Sequence, residues 1–429
     1  MRPFFAALCG LCVALLSGCV QGAFLAPPPN LYLEGRNYQA EAVPGVLQTA
    51  TPTIFFVTDR ARDGAGYGAK RSDAMVFGAA DVSFGTGLSW QEVVARTHTD
   101  SGRRLSRLEV RDTQALVQFS GTPLPYERAD GVLRTVAQAR EVYQQETRAF
   151  QDAIAEQIRQ TGNTRVLVYV HGFNTGFDDT LTTLANLWHF AGRRTVPVAF
   201  SWPAGSGIGP IGYFSDRESG TFAVHHAKEF LRMIAAIPEV EDIDIVAHSR
   251  GTDVMTQALR EMIIFERGRG VHPKLGMKTG TLILAAPDLD TGIVRQRLVA
   301  ERFSEAFEQV NAYINPRDAA LRLSSILTKS DRFGALRAED VKPGEIARLK
   351  KHGLVHFIRV EGRVGGTFGH SYFRDNPAVL SDIVLALRTR AFPGGTLRPL
   401  EEGADGIWQL HPNYPLERLP DLLLFESPR

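Results

Sequence analysis

Apolar positions along this chain are arranged differently before and after residue 160. In the first part, Thr53–Val57, Val82–Phe84 and Ala115–Phe119 are short β-branched or aromatic runs that predict strands, and Gly131–Gln160 is typical of a long helix. Beyond it, short apolar runs alternate with amphipathic stretches, which predicts a mostly parallel sheet with helices on both faces, an α/β fold. The strands predicted there are Val166–Val170, Val196–Ser201, Ile243–Ala247, Leu282–Ala285, Val310–Ile314 and Val355–Val360, and the helices are Asp179–Arg193, Ser219–Ile237, Thr252–Phe265 and Asn376–Arg390.

A serine lies on the sharp turn between the third of these strands and the helix that follows it. Such a turn, called a nucleophile elbow, exposes the serine hydroxyl, and small residues on both sides let the strand and the helix approach closely. The usual pattern has glycine at both places. This chain has Ala247 and Gly251, a difference of one methyl group. The sequence therefore predicts that Ser249 is a nucleophile, with His248 and Gly251 supporting the turn.

The loop after the first strand of the parallel series has the sequence His-Gly-Phe-Asn. Acyl transfer at an elbow needs two backbone N–H groups for the oxyanion, one from the residue after the nucleophile and one from this loop. The predicted donors are the N–H groups of Phe173 and Arg250. Gly172 lets the backbone turn its amide toward the site, and we expect His171 and Asn174 to brace the loop.

A serine hydroxyl also needs a base, and the base needs a carboxylate that orients it. In folds built around such an elbow, the acid and then the histidine follow the serine along the chain. His370 lies in a glycine-rich loop after the last predicted strand and is the expected base, whereas His411, among prolines, is expected at the surface. For the acid we favour Asp318, which follows the strand immediately before the one that leads into the histidine loop. Asp288 is the alternative, and we expect the unused carboxylate to cap a helix.

Six short motifs are distributed along the chain: Phe56–Arg60, Val168–Asn174, Ser201–Pro203, Ala247–Gly251, Ala285–Asp288 and Gly369–Phe373. Together they resemble a bacterial family of α/β-hydrolases of unknown function, and the likeness extends over roughly residues 53–390. The resemblance implies an α/β-hydrolase fold and a Ser-Asp-His hydrolase site, and it implies no particular substrate.

The first residues have the features of a targeting segment. Arg2 precedes an apolar run, Pro3–Leu16, that is too short to span a bilayer. Residues 16–19, LSGC, resemble the lipobox of bacterial lipoproteins, which implies that residues 1–18 are a signal peptide and that Cys19 carries lipid, including palmitate. The alternative is an ordinary secretory signal. Val20, where an aspartate would retain a lipoprotein at the inner membrane, implies the periplasmic face of the outer membrane of a bacterial cell envelope.

The chain is divided into four parts on this interpretation. After the signal peptide, residues 19–50 are expected to be a lipid-anchored tether, because they contain a triple proline and no regular periodicity. Residues 51–393 form the predicted hydrolase domain, with N-terminal strands and a long helix over 51–160 and a catalytic core over 161–393. Residues 394–429 are expected to be an arm that covers the surface.

Composition and short motifs argue against other classes of function. A net charge of +1 gives no reason to expect a nucleic-acid partner. The glycine-rich stretch Gly207–Gly212 matches the dinucleotide fingerprint by letter, but the helical pattern begins only near Ser219, so we predict a loop beside the active site. His225 and His226 lack the spacing of a metal-binding pair. Neither a cofactor nor a metal is expected.

Two functions from different classes remain. The first is a serine hydrolase that cleaves an acyl bond, a carboxylic ester before a thioester or an amide, in a small-molecule or lipid-like substrate. The second is an envelope lipoprotein that retains a catalytically idle hydrolase fold for binding or scaffolding. In both, the N-terminal lipid anchor makes the membrane a partner.

Overall fold

One mixed sheet of eleven strands passes through the described part of the chain. The structure is a computed structural model that describes residues 24–35, 38–100, 106–337, 355–362 and 369–418. In chain order the strands are β1 (Thr53–Asp63), β2 (Gly66–Ser83), β3 (Glu109–Gln118), β4 (Tyr126–Ala129), β5 (Val132–Thr135), β6 (Arg165–Val170), β7 (Val196–Ser201), β8 (Asp242–His248), β9 (Thr279–Ala285), β10 (Gln309–Ile314), β11 (Val355–Val360), β12 (Glu401–Glu402) and β13 (Trp408–Leu410). The sheet order is β12-β13-β11-β10-β9-β8-β6-β7-β1-β2-β3, and β4 and β5 form a separate hairpin.

The centre of this sheet is parallel. Every neighbouring pair from β13 across to β1 is parallel, whereas β2, β3 and β12 are antiparallel additions at the two edges. Parallel strands are joined by crossovers, so the loops after their carboxyl ends meet at one edge of the sheet, where ligands bind in α/β folds. We call this edge the catalytic edge.

Helices cover both faces of the sheet, which confirms the predicted fold class. The apolar side chains of α3 and α10 pack on one face, and those of α2, α4 and α5 pack on the other. None of the helices in the described ranges has both the length and the apolar character needed to cross a bilayer. The helices are α1 (Trp90–Thr97), α2 (Ala137–Thr161), α3 (Phe177–Phe190), α4 (Gly209–Ala235), α5 (Gly251–Gly268), α6 (Pro273–Met277), α7 (Thr291–Ile293), α8 (Ala319–Thr328), α9 (Tyr372–Asp375) and α10 (Pro377–Thr389).

Residues 24–50 pack against the domain where they are described, so the expectation of a tether over 19–50 is wrong for this part. Leu31 and Tyr32 are completely buried, and the backbone N–H of Ala26 donates to Asn186 Oδ1 on α3 at 2.9 Å. The apolar side chains in this segment have no helical or strand period because they enter the core from short 3-10 turns. The signal peptide and Cys19 lie outside the described residues.

The C-terminal arm contributes to the sheet, so the predicted boundary at residue 393 is also wrong. Strand β13 pairs in parallel with β11. Arg398 is fully buried, and its guanidinium donates to both oxygens of Asp382 on α10, at 2.9 and 2.7 Å. Prolines and charges made this segment look like surface, but the buried charge is paired and the strand extends an existing edge.

We predict that Arg398→Ala destabilises the whole domain, because it leaves the buried carboxylate of Asp382 with two hydroxyl donors and without the cation that balances its charge. Breaking a buried ion pair from one side costs about 3–5 kcal/mol of the free energy of unfolding. Arg418→Ala is the control, since its bond to Glu401 joins two exposed side chains and contributes about 1 kcal/mol or less. Urea unfolding measures both variants. Equal losses would contradict the structural role of the arm.

Candidate active site

Ser249 lies on the predicted sharp turn, between β8 and α5. Its φ is +50°, in the left-handed region that residues other than glycine rarely adopt, and its N–H donates to Ala285 O at 2.9 Å. The turn is tightly enclosed: a Cβ atom at Gly251 would lie 2.2 Å from His171 O, and one at Gly172 would lie 2.7 Å from the Ser249 Cβ. Both glycines are therefore required by close backbone approach.

The side chains of Ser249, His370 and Asp318 form one hydrogen-bonded chain. Ser249 Oγ lies 2.7 Å from His370 Nε2, and His370 Nδ1 lies 2.7 Å from Asp318 Oδ2. With the Nδ1 proton facing the carboxylate, Nε2 is free to accept the serine proton. The three residues come from the ends of β8, β10 and β11, far apart in sequence and adjacent at the catalytic edge.

Electrostatics favour a basic imidazole at this position. Burial lowers the pKa of His370, but the charge and hydrogen bond of Asp318 outweigh burial, so that the pKa lies above the usual value of 6.5. Asp318 is also the N-cap of α8, because its Oδ1 accepts the N–H of Leu321 at 3.0 Å. One carboxylate is thus fixed by the helix and aimed at the histidine.

The alternative acid, Asp288, lies in a separate buried cluster of charges. Its carboxylate accepts from Tyr213 Oη at 2.8 Å and Ser324 Oγ at 2.7 Å, and Arg332 Nε lies 3.2 Å from it. Burial raises the pKa of Asp288, but Arg250 and Arg332 outweigh it, and the pKa lies below its usual value. The expectation that this carboxylate caps a helix is wrong, because it neutralises arginines instead.

The two amides predicted to bind an oxyanion come from different segments: Phe173 lies in the loop after β6, and Arg250 directly follows Ser249. Among the described residues, neither the N–H of Phe173 nor that of Arg250 donates a hydrogen bond to another group of the protein. The Arg250 side chain is held away from the site, where its guanidinium donates to Asp288 O at 3.1 Å. Both donors are therefore available to an oxygen that develops negative charge near Ser249.

His171 braces this loop as expected from the sequence. Its Nδ1 donates to Gly172 O at 2.9 Å, and its ring stacks on Trp202 with centroids 5.0 Å apart. Burial and then the charge of Arg60 hold the pKa of His171 well below its usual value, so the ring is neutral. His171 Nε2 lies 3.2 Å from Arg60 Nη2 and 3.1 Å from Trp202 O, which ties the loop to both residues.

His248 contacts His370. Its Nε2 lies 3.3 Å from His370 O, and its ring stacks on Phe373 at 4.3 Å. Burial and the nearby charge of His370 keep the pKa of His248 well below its usual value. A neutral Nε2–H donor therefore fixes the backbone of the histidine loop.

Arg60 and Asp216 position the loops after β6 and β7, and the sequence assigned no role to either residue. Arg60, in the strand β1, donates to the carbonyl oxygens of Ala204 and Thr175 and so joins the loops after β6 and β7. Asp216, in α4, accepts the N–H groups of Asn174, Gly205 and Ser206 at 2.9 to 3.1 Å. Arg60 belongs to the motif Phe56–Arg60, but neither that motif nor the polarity of Asp216 predicts a bracing role before the strands and helices are placed together.

The start of α4 corrects one prediction. The helix begins at Gly209, ten residues before the expected start near Ser219, because proline is compatible with the first turn of a helix and the glycines concealed the pattern. The helix therefore begins within the glycine-rich stretch. The preceding amides of Gly205 and Ser206 are bonded to Asp216. This intramolecular carboxylate occupies donors that an anionic ligand would use.

Comparisons with solved structures give six matching chains. One is an esterase of Pyrobaculum calidifontis in a monoclinic form, with 12% sequence identity, a TM-score of 0.31, and coverage of 54% of this chain and 78% of that chain. At that TM-score the two chains differ too much for a residue-by-residue correspondence. A search of the curated proteins gives no match.

The family comparison agrees with the resemblance noted in the motifs. The model described as alpha/beta hydrolase of unknown function (DUF900) matches residues 146–388, which contain the elbow, both acid candidates and His370. More than half of the chain is covered, and the chain therefore belongs to this family of α/β hydrolases.

Proposed function

We propose that the protein is a serine hydrolase that cleaves a carboxylic ester through a Ser249, His370 and Asp318 triad. One observation carries the proposal: Ser249 Oγ and His370 Nε2 lie 2.7 Å apart, while Asp318 holds the opposite ring nitrogen at 2.7 Å. This is the arrangement in which an imidazole can remove a proton from a serine hydroxyl as the hydroxyl attacks a carbonyl carbon.

The reaction follows from the roles of these groups. Ser249 Oγ attacks the ester carbonyl, and its proton passes to His370 Nε2. The oxyanion that forms accepts hydrogen bonds from the N–H groups of Phe173 and Arg250. His370 then protonates the leaving alcohol, which leaves an acyl group on Ser249. Water, deprotonated by the same imidazole, attacks this acyl group and releases the carboxylic acid.

The alternative is an idle fold used for binding. A scaffold has no physical need for a serine held at φ +50°, for an imidazole whose pKa is raised, or for two amides that donate to no group among the described residues. These features together favour catalysis. Labelling of the serine decides between the two.

We predict that a fluorophosphonate probe labels the native protein and that Ser249→Ala abolishes the label. The probe reacts covalently with a serine only where a base and oxyanion donors activate it. Ser215→Ala, which changes an exposed serine on α4, is the matched control and retains full labelling. In-gel fluorescence measures all three proteins. A folded native protein that stays unlabelled would favour the idle scaffold.

The pKa of His370 sets the expected pH dependence. A raised pKa means that the ring keeps its proton to a higher pH, and the protonated ring cannot accept the serine proton. We therefore predict that kcat/KM falls as the pH drops through a value above 6.5.

Asp318→Asn removes the charge that outweighs burial, so the acid limb of the pH profile moves to lower pH. The rate also falls, by about 10⁴-fold, because the amide favours the wrong tautomer of the imidazole. Asp290→Asn, which changes a capping residue near Asp288, is the control and leaves the limb in place. An unchanged limb and rate in Asp318→Asn would remove Asp318 from the mechanism.

We also propose that Cys19 carries lipid and anchors the protein at the bacterial cell envelope, on the periplasmic face of the outer membrane. The support is the apolar segment and the LSGC sequence before residue 20.

We predict that cells supplied with alkyne-tagged palmitate attach the label to the full chain and that Cys19→Ala abolishes it. Labelling that persists in this variant would place the lipid elsewhere.

A further inference from the structure

An exposed apolar face lies on the first turns of α4. Ile208, Ile211 and Phe214 are 43%, 88% and 43% exposed, and their spacing of three residues places them on one side of the helix. On the opposite side, Tyr213 and Asp216 are buried. A helix at a protein surface normally exposes polar residues and buries apolar ones. At this end of α4 apolar side chains are exposed and a carboxylate is buried.

This face flanks the proposed active site. Helix α4 begins at the catalytic edge, after β7, and the ring of Tyr213 packs against that of Phe173 with centroids 5.7 Å apart. The Tyr213 hydroxyl lies 2.8 Å from Ser324 Oγ of α8. The two helices therefore meet over the residue whose N–H is proposed to bind the oxyanion.

Helix α8 adds apolar and positive groups at the same edge. Ile326 is 73% exposed. The helix contains Arg322 and no carboxylate. The exposed Arg317 precedes the buried N-cap residue Asp318, and the exposed Lys329 follows the last residue of the helix. Within the described ranges none of these three cations forms an ion pair. Apolar side chains beside unpaired cations are complementary to an anionic lipid surface.

The length of the N-terminal connection tells which surface is within reach. Only residues 20–23 separate Cys19 from Phe24, whose carbonyl oxygen accepts from Asn186 on α3 at 3.3 Å. An extended connection of this length spans about 18 Å at most. Asn186 lies about 14 Å along α3 from the helix start at the catalytic edge, given a rise of about 1.5 Å per residue. A lipid on Cys19 would therefore hold the catalytic edge within reach of its own membrane.

We propose that Ile208, Ile211, Phe214 and Ile326, the docking face, bind to the surface of an anionic bilayer, and that the substrate is an acyl ester of a lipid in that bilayer. This inference rests on the proposed serine hydrolase and on the proposed lipid anchor. The apolar side chains enter the interface, Arg322 approaches the lipid phosphates, and the scissile ester reaches Ser249 without leaving the membrane surface.

The docking itself is tested without any measurement of activity. The three cysteines of the chain all lie in the first nineteen residues, so in the processed, lipidated chain Ile211→Cys supplies the free thiol for an environment-sensitive fluorophore. We expect its emission to shift to the blue on vesicles of equal parts phosphatidylcholine and phosphatidylglycerol, and spin-labelled lipid to quench it.

Leu275→Cys is the matched control for this label. Leu275 is 74% exposed on α6, which precedes β9 and therefore lies at the edge of the sheet opposite the catalytic edge. Its label is expected to stay in water. Equal emission from the two positions would overturn the proposed docking, and so would a blue shift at Ile211→Cys without vesicles, which would indicate a contact between copies of the chain.

The substrate class is tested with two esters, a fluorogenic long-chain ester lipid in the same vesicles and the water-soluble p-nitrophenyl butyrate. Ile211→Ser is expected to lower hydrolysis of the vesicle ester about fivefold, because it removes one apolar anchor, and to change the soluble rate less than twofold. Leu275→Ser is expected to change neither rate.

The two proposals fail in different ways. If Ile211→Ser leaves the vesicle rate unchanged, or lowers both rates equally, the membrane-lipid substrate is wrong while the hydrolase stands. If the native chain and Ser249→Ala give the same rates on both esters, the serine hydrolase is wrong, and the emission of the Ile211→Cys label still decides whether the face docks on a bilayer.

Discussion

The contact between Asp318 and His370 is the interaction on which the site depends. Asp318 is fully buried, is fixed as the N-cap of α8, and meets the imidazole at 2.7 Å. Without it, burial would leave His370 neutral but weakly basic and free to choose either tautomer. The helix that carries the cap also carries part of the exposed apolar surface. Asp318 therefore fixes both the orientation of the His370 ring and the start of α8.

A second carboxylate close to Ser249 would compete for the imidazole of His370 if it were free. Asp288 is prevented from doing so by Arg250, Arg332 and two hydroxyl donors, which keep it ionised and immobile. The same cluster draws the Arg250 side chain away from Ser249 and leaves only its amide at the site. Two aspartates of similar sequence context thus acquire different roles from their surroundings.

Local patterns were sufficient to predict the parallel strands, the turn at Ser249 and the loop at Gly172, because each depends on residues adjacent in sequence. Chain order favoured Asp318 over Asp288, and the hydrogen bonds agree with that choice without testing catalysis. Contacts between distant segments were not predictable. Neither residues 24–50 nor the strand β13 has a periodic pattern of apolar residues. Residues 24–50 are held by packing against the domain, and β13 is held by pairing with β11. The buried Arg60 is recognisable as a brace only after β1 is placed beside β7.

The most direct test of the central claim is to trap the covalent intermediate. Rapid mixing of the protein with p-nitrophenyl acetate, followed by acid quench and peptide mapping by mass spectrometry, locates the acetyl group. The mechanism predicts an acetyl group on Ser249 and no turnover in Ser249→Ala. An acetyl group on another residue, or equal turnover in Ser249→Ala, would contradict it.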